Sequence, residues 1–363
     1  MHDTVMPLAE GHEEKIGSQE RTFAEGPLFV VGMFRSGTSL LYALLNQHPR
    51  ISLMYEADLE HVHSLFWVRR STSSWLAKWD FWNGAFSRHK LDSSRIPEGI
   101  HDLPGAARAV YQEYARPKET ADIWGCKSPT YYDEMARLSR TFPNARFIII
   151  WRDLRSICRS LVAAQVDNIF FSRKGMLLRA ILGYREMKTQ CDLLTRRGVP
   201  VHQLHYEELV RDPGVAMQGV CEFLQIAFDP RMTHLEGADR SATQEGSHHT
   251  LVKSEKILAS KASPAPPPTS LKRKVDRYIQ LWRTESGGAW PRYPQAKADE
   301  DQDKPALLER ASDRAAYEVL SLWHHTIPVI FSCVPLALWK KYRSFNDARR
   351  YRRLLRKAES SAD

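Results

Sequence analysis

Residues Leu28 to Leu45, LFVVGMFRSGTSLLYALL, leave this chain few folds to choose from. The unbroken apolar run at the start reads as a strand buried on both faces, and the apolar periodicity after Thr38 reads as a helix. Between them, Gly32 and Gly37 frame a loop that aims backbone N–H groups and the positive end of a helix dipole at one point. Such a turn suits an anion. Its glycines allow close backbone approach, Ser36, Thr38 and Ser39 add hydroxyl donors, and Arg35 adds a planar cationic fork. The glycine spacing matches the phosphate loop G-x-x-x-x-G-K-[ST], but Thr38 stands in the lysine position. The missing lysine argues against ordinary ATP or GTP hydrolysis.

Three further strand-like runs are each followed by a helical pattern: Ile123 to Cys126 before Tyr131–Thr141, Arg146 to Trp151 before Arg155–Ala164, and Val201 to Tyr206 before Pro213–Leu224. Apolar strands alternating with helices predict an α/β fold, a P-loop NTPase-like parallel sheet flanked by helices. Ligands of such sheets sit beyond the carboxyl ends of the strands, so the loops after Val31, Cys126 and Trp151 are expected to converge. In FIIIWRDLRSICRSL (147–161) a strand again runs into a helix. There Arg152 and Ser160 are placed to clamp one phosphate, while Arg155 and Arg159 are expected in solvent or ion pairs.

At these residues the chain resembles the P-loop-like sulfotransferases that use 3′-phosphoadenosine 5′-phosphosulfate (PAPS). Arg35–Ser39 looks like their 5′-phosphosulfate motif, and Arg152 with Ser160 looks like their 3′-phosphate motif. GCKSPTYYDEMARLSRTFPNARF (125–147), HYEELVRDP (205–213) and FLQIAFDP (223–230) fit the same pattern, in order, across Pro27 to Pro230. The motifs are nearest to tyrosylprotein and bacterial carbohydrate or lipid sulfotransferases, since the cytosolic small-molecule class carries Lys where this chain has Arg35.

The resemblance implies sulfonate transfer from PAPS to a hydroxyl of a glycan, lipid or other acceptor, by in-line displacement and with no metal. It casts Glu56 as general base, with His61 and His63 as alternatives, and Lys127 as the cation that meets the departing 3′-phosphoadenosine 5′-phosphate (PAP). Arg35 would serve both the phosphate and the transferring sulfonate. Arg35, Ser36, Gly37, Thr38, Ser39, Arg152, Ser160, Tyr206 and Lys253 would form the donor site, Tyr206 near the adenine or in core packing, and Lys253 on a closing segment. Glu207 is expected to hold local structure. A small-molecule kinase on the same loop, or a membrane-associated binding protein with a vestigial site, are the competing readings.

Organisation along the chain is expected as follows: an acidic arm over 1–25; a core over 26–262 with a helical, aromatic-rich acceptor-side insertion at 58–122; a linker and last part of the core over 263–318; and an apolar then basic helical tail over 319–363. The large aromatics Phe66, Trp67, Trp75, Trp79, Phe81, Trp82 and Phe86 of the insertion suit either a subdomain core or an apolar acceptor pocket. Pro264–Pro268 reads as a stiff linker and 298–304 as an exposed acidic loop.

Net charge is +9, yet Lys340 to Lys357 holds nine Lys/Arg against Asp347 alone, so the body is nearly neutral and no nucleic-acid partner is expected. The 14 uncharged residues Thr326–Trp339 before it fall short of a bilayer span, which favours an interfacial segment on an anionic membrane, with an ordinary buried C-terminal helix and a true span as the other readings. Five scattered cysteines without C-x-x-C suggest neither disulfides nor a zinc site. With no signal-peptide pattern at the N-terminus, the expected location is cytoplasmic, or peripheral on the inner face of the membrane.

Overall fold

The computed structural model describes residues 24–61, 64–70, 72–165, 171, 175–238, 257, 269–285 and 307–359. Its centre is a five-stranded, wholly parallel sheet in the order β2-β3-β1-β4-β5. The strands are β1 (Leu28–Gly32), β2 (Ile51–Tyr55), β3 (Ile123–Lys127), β4 (Arg146–Trp151) and β5 (Val201–His205). Four match the expected runs. The fifth, β2, corrects the sequence reading, which assigned no strand there. Its ISLMY is buried at every position and pairs with β3 from Ile51 opposite Ile123 to Tyr55 opposite Lys127.

Helices cover both faces, because continuous apolar strands have two faces to bury. Alternate residues go to opposite cores. Phe29, Val31, Phe147, Ile149 and Trp151 meet one, with α5 (Leu103–Ala115), α6 (Met135–Thr141), α7 (Leu154–Ala164) and α8 (Met176–Arg196). Leu28, Val30, Ile148 and Ile150 meet the other, with α1 (Thr38–Leu45), α9 (Tyr206–Arg211) and α10 (Pro213–Leu224). Period-two burial along each strand is thereby satisfied.

Between β2 and β3 lie α2 (Ser64–Val68), α3 (Thr72–Asn83), α4 (Ala85–His89) and α5. Trp67, Trp75, Trp79 and Phe86 belong to the main core, with Trp75 and Trp79 stacked at 5.6 Å. Trp67, Trp75 and Trp79 are therefore core, and Phe86 both belongs to the core and lines a cleft. That cleft, about 700 Å3, has a mixed lining, with Leu76, Phe86, Leu91 and Ile96 beside Asp80 and Lys90.

After the core come α11 (Thr269–Glu285), α12 (Leu307–Ser332) and α13 (Leu336–Glu359). α11 sends Val275, Tyr278, Ile279 and Trp282 into the same core, and Arg155 pairs with its Asp276 as an ion pair. The apolar segment 319–339 is divided between two helices by the turn at Cys333–Pro335. Among the described residues no helix is long and apolar enough to cross a membrane. Residues 1–23 of the arm expected over 1–25, together with Lys253, the Pro264–Pro268 linker and the acidic loop 298–304, lie outside the described residues.

Candidate active site

The sheet order dictates where the site forms. The chain leaves β1 for the edge strand β2, returns to β3 on one side of β1, then moves to β4 on the other. The carboxyl ends of these strands flank the loop after β1, the place where parallel sheets bind ligands. The convergence expected of the loops after Val31, Cys126 and Trp151 is what the strand order produces, with the end of β2 added.

The loop itself is wound for an anion. Arg35 takes φ 70° and Gly37 φ 101°, so both stand in the left-handed region, and α1 starts directly after Gly37 with no side-chain cap on its N–H groups. Ser36 is fully buried, and its Oγ has no hydrogen-bond partner among the described residues. A buried hydroxyl left in that state fits an anionic ligand.

Arg35, Arg152 and Ser160, distant in sequence, meet at this loop. Arg35 Nε donates to Ser160 Oγ at 3.0 Å, and Arg152 Nη1 donates to the Arg35 carbonyl at 2.7 Å. Arg152 lies over the Tyr206 ring at 4.2 Å, and that ring also faces Gly37. Tyr206, only 6% exposed, thus braces the arginine against the loop. Burial, and next the neighbouring Arg152, pull the Arg35 guanidinium below its ordinary value, and burial does the same to Arg152. Two desolvated cations side by side favour a multiply charged anion between them. Around them Glu207 Oε1 accepts from Asp153 N at 3.2 Å, and Asp153 caps α7 through Ser156 N at 2.8 Å, the local structural role expected of Glu207. Arg159 donates to Ser156 Oγ at 3.0 Å.

On the other side of the loop, Lys127 and Glu56 form an ion pair at 2.6 Å. Pairing of β2 with β3 makes this possible, since Tyr55 lies opposite Lys127 and the Glu56 N–H donates to the Lys127 carbonyl at 2.8 Å. Lys127 Nζ is fully buried, 3.4 Å from Ser39 Oγ and 3.6 Å above the Tyr55 ring, whose hydroxyl is 3.0 Å from Ser39 Oγ. Burial acts to lower the Lys127 ammonium, but Glu56 and Tyr55 outweigh it and hold the group above its ordinary value. Lys127 therefore stays cationic. Glu56 is about one-third exposed and reaches solvent on its free side. The lysine missing from the loop is supplied to its neighbourhood by β3.

Sequence reasoning missed the support beneath this pair. Glu56 and Asp58 both take left-handed φ values, 48° and 54°. Asp58 Oδ1 accepts from Ser128 Oγ at 2.5 Å and from Thr130 Oγ1 at 3.1 Å, fastening the Glu56 turn to the residues after Lys127. His61 continues the network, with Nδ1 2.8 Å from Glu134 Oε1 and Nε2 2.9 Å from Thr130 Oγ1. Although its burial opposes the charge, Glu134 and Asp58 push His61 up to about 10. With both ring nitrogens taken up by Glu134 and Thr130, and the ring held charged at neutral pH, His61 is poorly placed to take an acceptor's proton; His63 lies outside the described residues. The clustered carboxylates of YEADLEH (55–61) and of YDE (132–134) were the visible signal, without the pairing to decode it. Among the described residues no group of His, Cys, Asp and Glu is set to hold a metal.

A family model described as the sulfotransferase family matches residues 27–230 of this chain. Among curated proteins, protein-tyrosine sulfotransferase 1 of Danio rerio is 27% identical over 214 residues, covering 58% of this chain and 56% of that protein. The human protein-tyrosine sulfotransferase 1 is 29% identical over 214 residues, covering 58% and 54%. The chain spans about half the length of these curated relatives. Among solved structures, the sulfotransferase domain from the Synechococcus PCC 7002 olefin synthase covers 74% of this chain and 96% of its own at 19% identity and TM-score 0.47. The sulfotransferase domain from the Curacin biosynthetic pathway covers 71% and 99% at 18% identity and TM-score 0.45.

Proposed function

The chain belongs to the sulfotransferase family, and from that membership we propose that it transfers a sulfonate group from PAPS to a hydroxyl-bearing acceptor by in-line displacement. The observation that carries the reading is the Lys127–Glu56 pair at 2.6 Å, set beside Ser39 on the rim of the cationic loop. The residues fit the donor. Ser36 Oγ and the uncapped start of α1 suit the 5′-phosphosulfate, together with Arg35, Thr38 and Ser39, and Arg152 with Ser160 suits the 3′-phosphate. Bound there, PAPS supplies the sulfonate and a phosphate leaving group.

Glu56 takes the proton of the acceptor hydroxyl as the acceptor oxygen bonds to sulfur. With PAPS bound, Lys127 would meet the charge that develops on the 5′-phosphate of PAP as the bond from sulfur to the bridging oxygen breaks and leaves its electron pair there. For both roles the ion pair must part: Lys127 turns to the bridging oxygen and Glu56 to the acceptor. The Tyr55 ring and Ser39 keep the ammonium within reach of the loop throughout. Most of the acceleration then comes from positioning and charge stabilisation, as in phosphoryl transfer.

The competing kinase reading is tested by the donor. Calorimetry on the full chain is expected to show PAP binding without Mg2+, and a preference for Mg-ATP over PAP would overturn the proposal. Gly37→Ala is expected to weaken PAP binding about tenfold, since a left-handed alanine costs roughly 1–2 kcal/mol. Its Cβ would also lie 2.4 Å from the Tyr206 ring that braces Arg152. Unchanged affinity in this variant would sink the bracing role. For the acceptor, the names of the curated relatives put a tyrosyl hydroxyl beside the glycan and lipid hydroxyls suggested by the motifs. A labelled-donor screen over tyrosyl peptides, polysaccharides and lipid extracts distinguishes them.

A further inference from the structure

The last four turns of α12 invert the usual layout of a surface helix. Its polar His324 and His325 face inward: His325 Nδ1 lies 3.0 Å from Glu134 Oε1, and the His324 ring meets His61 edge-on at 5.7 Å. Val319, Leu322, Trp323 and Ile330 share the opposite face by helical spacing and are exposed by 59% to 67%. Thr326 on that face turns its hydroxyl back onto the Leu322 carbonyl at 2.6 Å. No Asp, Glu, Lys or Arg occurs from Val319 to Trp339.

α13 repeats the arrangement. Trp339 and Arg343 are its docked side, Trp339 stacked on Trp82 at 4.7 Å and Arg343 donating to the Trp82 carbonyl at 2.6 Å. Leu338, Tyr342 and Phe345 form an exposed face, and one turn further the same face becomes basic with exposed Arg349 and Arg352. The hairpin is also fixed at its turn. Arg70 and Lys78 donate to the Ser332 carbonyl at 2.8 and 2.6 Å, and Phe331 stacks on Tyr342 at 5.2 Å. The exposed apolar side chains are therefore held in place, and apolar side chains clustered along a helix face are the kind of feature that marks an interaction site.

We propose that the exposed face of the α12–α13 hairpin docks on an anionic phospholipid bilayer, lying in the interface without crossing it. Charge selects this occupant. An apolar stripe continued by a basic one matches the boundary between acyl chains and anionic headgroups, and Lys340 to Lys357 carries nine Lys/Arg against one Asp. The hairpin lies outside the segment matched by the family model, and the docking stands independently of the donor chemistry.

The test is sedimentation of the full chain with vesicles of phosphatidylcholine alone or with one-third phosphatidylglycerol. Binding to the anionic vesicles is expected to weaken as salt rises. It should fall about tenfold or more in Leu322→Glu/Trp323→Glu, and by a similar factor in Arg349→Glu/Arg352→Glu, with thermal midpoint and PAP affinity unchanged. Failure to bind, equal binding to both vesicle types, or variants that bind as the parent does would overturn it. So would a full chain that is dimeric, becomes monomeric in Leu322→Glu/Trp323→Glu and never binds vesicles, because the face would then be an interface between copies.

Discussion

Glu56→Gln is expected to slow sulfonate transfer about 10²- to 10⁴-fold, the usual worth of a positioned general base, while PAP affinity changes little. The amide retains a hydrogen-bonding group beside Lys127 but has no basicity to receive the acceptor's proton. Lys127→Ala is expected to cost about 10²- to 10³-fold, as for loss of one donor to a developing oxyanion. Single-turnover measurements with labelled donor separate these effects from binding. Because the two groups are in contact at 2.6 Å, the double variant should lose less than the product of the single losses. Wild-type rates in either single variant would remove that residue from the mechanism.

The second large effect is on stability. Glu134→Ala should destabilise the fold by about 3–5 kcal/mol, the cost of stripping one partner from a buried charged network. Glu134 sits between His61, His325 and Arg137, and burial notwithstanding, those partners hold its carboxyl well below the usual range. Denaturant midpoints measure the loss, and a variant as stable as the parent would show that the network contributes nothing net.

The same network gives the protein a pH dependence whose sign is fixed. His61 and His325, opposed by burial but raised by their carboxylates to about 10 and about 9, contribute stability that is complete below their unfolded value near 6.5. It is lost as pH climbs through their folded values, at up to about 1.4 kcal/mol per unit for each group. His324 behaves oppositely. Burial, and then Arg179, hold it well below its ordinary value, so its contribution is present above about 6.5 and is lost on acidification. Stability should therefore peak near pH 6.5 and fall towards pH 9. His61→Gln should flatten the alkaline side, and a parent whose midpoint does not change between these values would contradict the charged state assigned to His61.

Local patterning made much of this protein legible. Buried apolar strands, two glycines at a fixed interval and an apolar helix after them identify a phosphate loop, because the backbone conformations involved are short-range and residue-specific. Arg152 and Ser160 were legible for the same reason, standing at the end of one strand and on the helix after it. β2 was not, since ISLMY follows a helix closely and becomes a strand only by pairing with β3. That pairing brings Glu56 onto Lys127, a contact between residues 71 apart that no local pattern encodes.

Tertiary packing also decided matters that residue type left open. His61 looked like a candidate base, but contact with Glu134 and Asp58 keeps it charged at neutral pH in spite of burial. The insertion's tryptophans suited a pocket or a core, and their positions put Trp67, Trp75 and Trp79 in the core. The tail's composition marked it as apolar then basic. Only the docking of His324, His325, Trp339 and Arg343 determined which side of each helix faces water. Sequence sets conformation wherever a few neighbouring residues determine the energy; the charge and exposure of a side chain depend on partners that only the folded chain brings near.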